Sequence, residues 1–108
     1  MNIMRYEKNI FYFTIKNDNG VIGIAYVKKN FKAQIHQHRE EETYIFLEGA
    51  GRLHLNNKEK IISNEIINIP SNAKHAMTPV TDYVLLIFMF NNISFQNIKY
   101  KYFDKSIL

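Results

Sequence analysis

Short runs rich in Ile, Val, Phe and Tyr recur along this chain about every eight to twelve residues, separated by Asn, Asp, Gly and Lys. β-Branched and aromatic residues at that spacing fit the pleated, half-buried surface of a strand, and the intervening residues are those that turn a chain. The runs are Phe11–Ile15, Val21–Val27, Phe31–His38, Glu42–Leu47, Arg52–Leu55, Glu59–Ile62, Ile66–Ile69, His75–Val80, Tyr83–Phe90 and Ile98–Phe103. Turns are expected over Asn17–Gly20, at Gly49-Ala50-Gly51 and at Asn56-Asn57-Lys58. Pro70 has no N–H to give to a ladder and ends the strand before it. No segment holds a 3.6-residue apolar period, so helix content is expected to be low. Many short, evenly spaced strands imply an all-β sandwich or closed barrel.

The 108 residues fit one domain, over 1–108, and the apolar share of 46% is enough for a core. Val21–Val27 and Tyr83–Phe90 are apolar on both strand faces. A strand in a small barrel turns one face inward and one outward, so apolar residues on both faces predict a homodimer that covers part of the outside. The formal charge of +4 is spread thinly, with Lys28, Lys29 and Lys32 the densest group. No basic arm or arginine-rich helix stands out, so nucleic acid is not an expected partner. The segment from Met1 to Phe13 lacks the layout of a signal peptide, and the longest apolar run is too short to span a bilayer. No membrane association and a cytoplasmic location are therefore expected.

The chain has no cysteine, so any metal must sit on imidazole, carboxylate or water. His36 and His38 are separated by one residue, which on a strand places both side chains on one face, about 6.6 Å apart along the backbone. Two imidazoles so placed can converge on one ion. Glu42 follows a polar turn, Arg39-Glu40-Glu41, and can return over that face from the neighbouring strand. His75 opens a later strand and can supply a fourth ligand from across the barrel. Such a set leaves two open positions on an octahedral ion and none on a tetrahedral one. Glu40 and Glu41 read as solvated turn residues. By strand parity Tyr44 and Phe46 share a face with Glu42, and Met77 shares one with His75. These either line a pocket or fill the core. His54 alternates with Leu53 and Leu55, and so faces solvent or lines the pocket. Arg52 and Lys74 are the nearest cations.

These residues resemble the two signature motifs of the cupin superfamily. His36, His38, Glu42 and Gly49 match the first: His-X-His, three or four residues, Glu, six residues, Gly. Pro70 and His75 stand at the separation of the Pro and His of the second. The likeness runs from about Asn30 to Pro79. Asn30, Asn64 and Asn72 stand where the motifs have glycine, and Pro79 stands in place of the final Asn. Asparagine is the residue after glycine that best tolerates a left-handed turn, so the backbone there can survive the exchange.

The resemblance implies a cupin double-stranded β-helix, or jelly-roll barrel, with one divalent ion (Fe, Mn, Ni, Co or Zn) on His36, His38, Glu42 and His75. It further implies a metal-dependent enzyme acting on a small polar metabolite such as a sugar or sugar-derived acid, of isomerase, epimerase or dioxygenase type. A non-catalytic small-ligand-binding or sensor module is the alternative. A third and weaker possibility is a metal-independent sugar-nucleotide isomerase barrel, which the retained ligand set argues against.

Overall fold

The computed structural model describes the chain except residues 1, 8, 18–19, 32, 92–97 and 108, and the side chains of 1–8, 16–19 and 104–108. The strands are β1 (Asn2–Glu7), β2 (Ile10–Asn17), β3 (Gly20–Lys28), β4 (Gln34–Gln37), β5 (Glu42–Glu48), β6 (Gly51–Leu55), β7 (Lys58–Ile62), β8 (Ile66–Ile69), β9 (His75–Pro79), β10 (Tyr83–Asn91) and β11 (Lys101–Ile107). Among the described residues there is no helix, and none long and apolar enough to cross a membrane. The strands form two antiparallel sheets, one in the order β1-β2-β3-β10-β5-β8 and one in the order β11-β4-β9-β6-β7. This is the all-β, two-layer arrangement that the run spacing implies, in the jelly-roll form that the resemblance implies.

Three boundaries differ from the sequence expectation. Strand β1 pairs with β2 from Asn2↔Ile15 to Glu7↔Ile10, although its own residues carry little strand signal. The run expected over Phe31–His38 is a strand only from Gln34, because Asn30 turns left-handed and Phe31 closes that turn by donating to the Lys28 carbonyl. The last strand begins at Lys101, while Ile98 is buried ahead of it in the core. The turn over Asn17–Gly20 includes residues 18–19, which lie outside the described residues.

The core lies between the sheets, where alternate residues of each strand point inward. Val21, Ala25 and Val27 of β3 and Val84, Leu86, Phe88 and Phe90 of β10 are all buried. They meet Phe46, Leu53, Ile62 and Ile69 from other strands. The inner residues of β3 are small where those of β10 are large. A Cβ on Gly23 would lie 2.1 Å from the Phe88 ring, so that ring occupies the space a side chain would need. Complementary sizes of this kind bring packing to native density.

Among the described residues five asparagines take positive φ: Asn9, Asn30, Asn56, Asn64 and Asn72, at 68°, 76°, 54°, 51° and 62°. The three that stand in for motif glycines are among them, so each turn keeps its backbone. Gly49 is different. Its φ is 78°, and a Cβ there would lie 2.1 Å from the Tyr83 carbonyl oxygen. Left-handed backbone alone admits Asn, but backbone contact at that distance admits only glycine. Accordingly, Asn72→Gly should change unfolding free energy by no more than ~0.5 kcal/mol, whereas Gly49→Asn should cost at least ~2 kcal/mol. Urea denaturation of the two variants checks the contrast, and equal effects would refute it.

Candidate metal centre

The four residues singled out by spacing come together, by a different route from the one expected. His36 of β4 and His75 of β9 are direct antiparallel partners in the five-stranded sheet. His75 is therefore the neighbouring residue, with ring centroids 4.3 Å apart, rather than one reaching across the barrel. Glu42 begins β5 and crosses from the facing sheet. The turn Arg39-Glu40-Glu41 carries the chain from one sheet to the other, which is why three residues separate His38 from Glu42. His38 lies one residue beyond β4. Asn72 donates its backbone N–H to the His38 carbonyl (2.9 Å) and the Ser71 hydroxyl donates to that of Arg39 (2.6 Å), so the turn is pinned from outside.

Each imidazole is oriented by the backbone. The Nδ1 atoms of His36, His38 and His75 lie 3.0, 2.8 and 2.9 Å from the carbonyl oxygens of Gln34, Glu40 and Ala73. A carbonyl can only accept, so each Nδ1 carries the proton and each neutral ring presents a bare Nε2. The ligand nitrogens of the three rings lie within 4.8 Å of one another, a group that can hold a metal ion. Glu42 Oε1 is 3.2 Å from His38 Nε2 and 3.4 Å from His75 Nε2. His75 is 0% exposed, and its Nε2 forms no hydrogen bond. A buried acceptor beside a buried carboxylate oxygen calls for a cation or proton between them.

The electrostatics divide the roles. Burial pushes the His36 imidazole down to about 4, helped by the charge of His75, so it stays neutral at pH 7. Burial also opposes the charged form of His38, but the hydrogen bond and charge of Glu42 outweigh it and raise His38 above its ordinary value. For Glu42, burial raises the carboxyl, and the hydrogen bond from His38 with the charges of His75 and His38 more than reverses that, so it is held low and ionised. The set thus includes a carboxylate, a neutral imidazole and an imidazole that readily keeps a proton until something displaces it.

Aromatic rings wall the centre. Tyr44 lies 6.3 Å from His75, ring to ring, and is buried; burial and then the Glu42 charge hold its hydroxyl protonated. Phe46 and Met77 sit deeper. A Cβ on Gly51 would meet Met77 Sδ at 2.7 Å and Phe46 at 3.0 Å, so these two fill the core beneath the site. The structure does not bring His54 to the centre: it lies on the face of β6 opposite buried Leu53, with Nδ1 3.4 Å from a carboxylate oxygen of exposed Glu59. Strand alternation forbids it from sharing the inner face with Leu53. Arg52 pairs with the same Glu59 (3.5 Å), and Lys74 lies over the Phe103 ring (4.6 Å), so both cations are engaged elsewhere.

Sequence reasoning missed three further aromatic residues beside the centre. Tyr100 lies 5.5 Å from His36 and 5.4 Å from His38, Tyr102 lies 5.7 Å from His36, and Phe90 lies 5.3 Å from His38. Burial, then the charge of Glu42, raises the Tyr100 hydroxyl far above its usual range. Parity along Tyr83–Phe90 carried the signal for Phe90, and the Tyr100-Lys101-Tyr102 alternation that for the two tyrosines. Glu40, read as solvated, is half-buried, and its Oε1 is shielded from solvent without a hydrogen-bond partner. The fold over the turn explains this, since the anchored backbone leaves that side chain beside His38.

Because Glu42 is what raises His38, replacing it by glutamine should lower the His38 pKa. In metal-free protein His38 is expected to titrate above 6.5, and in Glu42→Gln below its wild-type value. NMR titration of the imidazole resonances measures both, and an unchanged midpoint would contradict the pairing.

No protein-family profile and no characterised protein sequence matches this chain. Solved structures do. An RmlC-like cupin from Shewanella frigidimarina superposes with a TM-score of 0.77 at 14% identity, over 88% of this chain and 87% of its own. A DMSP lyase structure gives 0.71 at 21% identity, over 85% of this chain and 51% of the lyase. An oxalate decarboxylase variant from Bacillus subtilis gives 0.75 at 16%, over 91% of this chain and 30% of the decarboxylase. The chain thus spans about half the length of the lyase and less than a third of the decarboxylase. At such identities the likeness is one of architecture: two antiparallel sheets, closed over a histidine-rich centre, give this chain the cupin fold.

Proposed function

We propose that His36, His38, His75 and Glu42 hold one divalent metal ion, and that this centre belongs to an enzyme acting on a small polar metabolite. The observation that carries the reading is the buried Nε2 of His75, which faces a carboxylate oxygen and two other imidazoles yet has no hydrogen bond. Three imidazoles and a carboxylate suit Fe, Mn, Ni, Co or Zn. When bound, such an ion polarises a carbonyl or acidifies a water molecule.

The protein's own groups supply orientation and exclusion of water. The carbonyls of Gln34, Glu40 and Ala73 hold the ring tautomers, as outer partners of metal-binding histidines do. Tyr44 and Tyr100 stay protonated, and so serve as donors rather than as bases. Tyr100 and exposed Tyr102, stacked on one another, give a small molecule apolar faces to lie against. A sugar or sugar-derived acid is the substrate class we favour, with isomerase, epimerase or dioxygenase chemistry. The architecture is one that an oxalate decarboxylase and a DMSP lyase, both enzymes of small molecules, also have.

Elemental analysis of tag-free protein should find close to one equivalent of a transition metal. The His36→Ala His38→Ala double variant should hold less than ~0.1 equivalent, and wild-type protein as empty as that would refute the metal site. Oxygen uptake across a metabolite panel then separates oxygenase from isomerase chemistry, and ligand-dependent stabilisation without turnover marks a binding module.

Metal affinity should also fall in acid. The raised pKa of His38 means that binding displaces its proton from somewhat above pH 6.5 downward. Each displaced proton costs up to about tenfold in affinity per pH unit. Calorimetric titration at pH 8 and pH 5.5 measures the loss, and equal affinities would show that His38 is not a ligand.

A further inference from the structure

Glu40 stands in the turn that carries the chain between the sheets, two residues from His38 and two from Glu42. Its backbone carbonyl faces His38 Nδ1 at 2.8 Å. Its side chain is half-buried, and Oε1 is enclosed without a hydrogen-bond partner. A carboxylate oxygen shut away from water is costly to keep, so its retention calls for a cause. With little water around it, its charge is also poorly screened and acts at a distance. On His38 that charge adds to the larger effects of burial and Glu42, and on the Tyr100 hydroxyl to those of burial, Glu42, Tyr102 and Tyr12. The Tyr100 ring lies 5.5 Å from His36 and 5.4 Å from His38, so the reach of Glu40 extends over the wall of the centre. Positive side chains do not offset it. The charges that chiefly act on His36, His38, Glu42, Tyr44 and Tyr100 belong to histidines, glutamates and tyrosines, with no lysine or arginine among them. Arg52 is paired with Glu59, and Lys74 and Lys101 lie over the Phe103 ring.

We propose that Glu40 is a specificity-determining residue, which turns anions away from the centre and leaves it to an uncharged polar molecule. The proposal rests on the metal reading above and narrows it, from sugars and sugar-derived acids to neutral sugars and similar polyols. A divalent ion beside the Glu42 carboxylate leaves one positive charge, which would draw an anionic ligand. The Glu40 carboxylate cancels that charge, so an anion gains little by entering. A neutral polyol loses nothing by the cancellation, since its hydroxyl groups bind as dipoles. The stacked rings of Tyr100 and Tyr102, with centroids 6.0 Å apart, give the C–H face of such a molecule an apolar surface. Selection of this kind works by a repulsive element, and needs no contact between Glu40 and the ligand.

Titration of the cobalt(II)-loaded protein with azide and with acetate, followed by visible absorption in ~0.15 M salt, tests the proposal. Glu40→Gln should bind both anions at least about fivefold more tightly than wild-type protein. Glu40→Ala gives a second reading should the first variant fail to fold. Imidazole, a neutral metal ligand, should bind wild type and variant within about twofold of one another. Glu41→Gln removes the same charge from an exposed neighbour, and should leave anion affinity within about twofold of wild type. Anion affinity unchanged in both Glu40 variants overturns the proposal, as do variants that take up no anion. An equal gain for imidazole, or an equal gain in Glu41→Gln, overturns it too, since either would show that the charge of Glu40 is not what selects. A protein that acquires no cobalt spectrum removes the metal reading itself, and this proposal with it.

Discussion

Three backbone carbonyls, those of Gln34, Glu40 and Ala73, set the chemistry of the centre, because each fixes one imidazole with its proton turned away from the other rings. Without them the rings could rotate or exchange tautomers, and the convergence of Nε2 atoms would be lost. Each carbonyl lies two residues from its histidine, so the orientation is built from local backbone. The local backbone is in turn held by the sheet: β4 pairs with β9 at His36 and His75, and the bond from Asn72 keeps His38 in line beyond the strand end. Glu42 then joins the two sheets electrostatically, one carboxylate meeting two imidazoles from the opposite layer. The arrangement is costly in burial, since a carboxylate and three rings are taken largely out of water. It is tolerable because the charges and lone pairs face one another.

Much of this was legible before any coordinates. Ten of the eleven strands and the all-β class follow from run spacing, since turn residues and β-branched residues leave little choice of element. The meeting of His36, His38, Glu42 and His75 follows from His-X-His, Glu and a later His, because residue types and offsets are both constrained. Other features were less visible. Which sheet each of the four comes from depends on the crossing at Arg39-Glu40-Glu41, and a three-residue polar turn reads the same whether it makes a hairpin or a change of layer. The strand β1 went unread because pairing with β2, rather than its own composition, makes it a strand.

Local patterns also proved weakest where a side chain's role depends on what faces it. Glu40 looked like its neighbour Glu41 in sequence, yet only Glu40 has a carboxylate oxygen enclosed beside His38. Tyr100 and Tyr102 fall more than sixty residues after the histidines they approach, and nothing local indicates that β11 will lie along β4. His54 shows the reverse. Its alternation with Leu53 and Leu55 left two faces open, and the ion pair with Glu59 reports which one it takes.

The asparagines at positive φ carry a consequence for the chemical lifetime of the chain. Asparagine amides hydrolyse to carboxylates as a protein ages, and aspartate is another residue that tolerates the left-handed region. Where hydrolysis at Asn30, Asn64 or Asn72 gives aspartate on an intact backbone, the turn stays in place while a negative charge is added. Each event would remove one unit from a net charge of +4. Molecules altered in that way would keep their barrel while drifting from basic toward neutral, and would separate by charge rather than by shape.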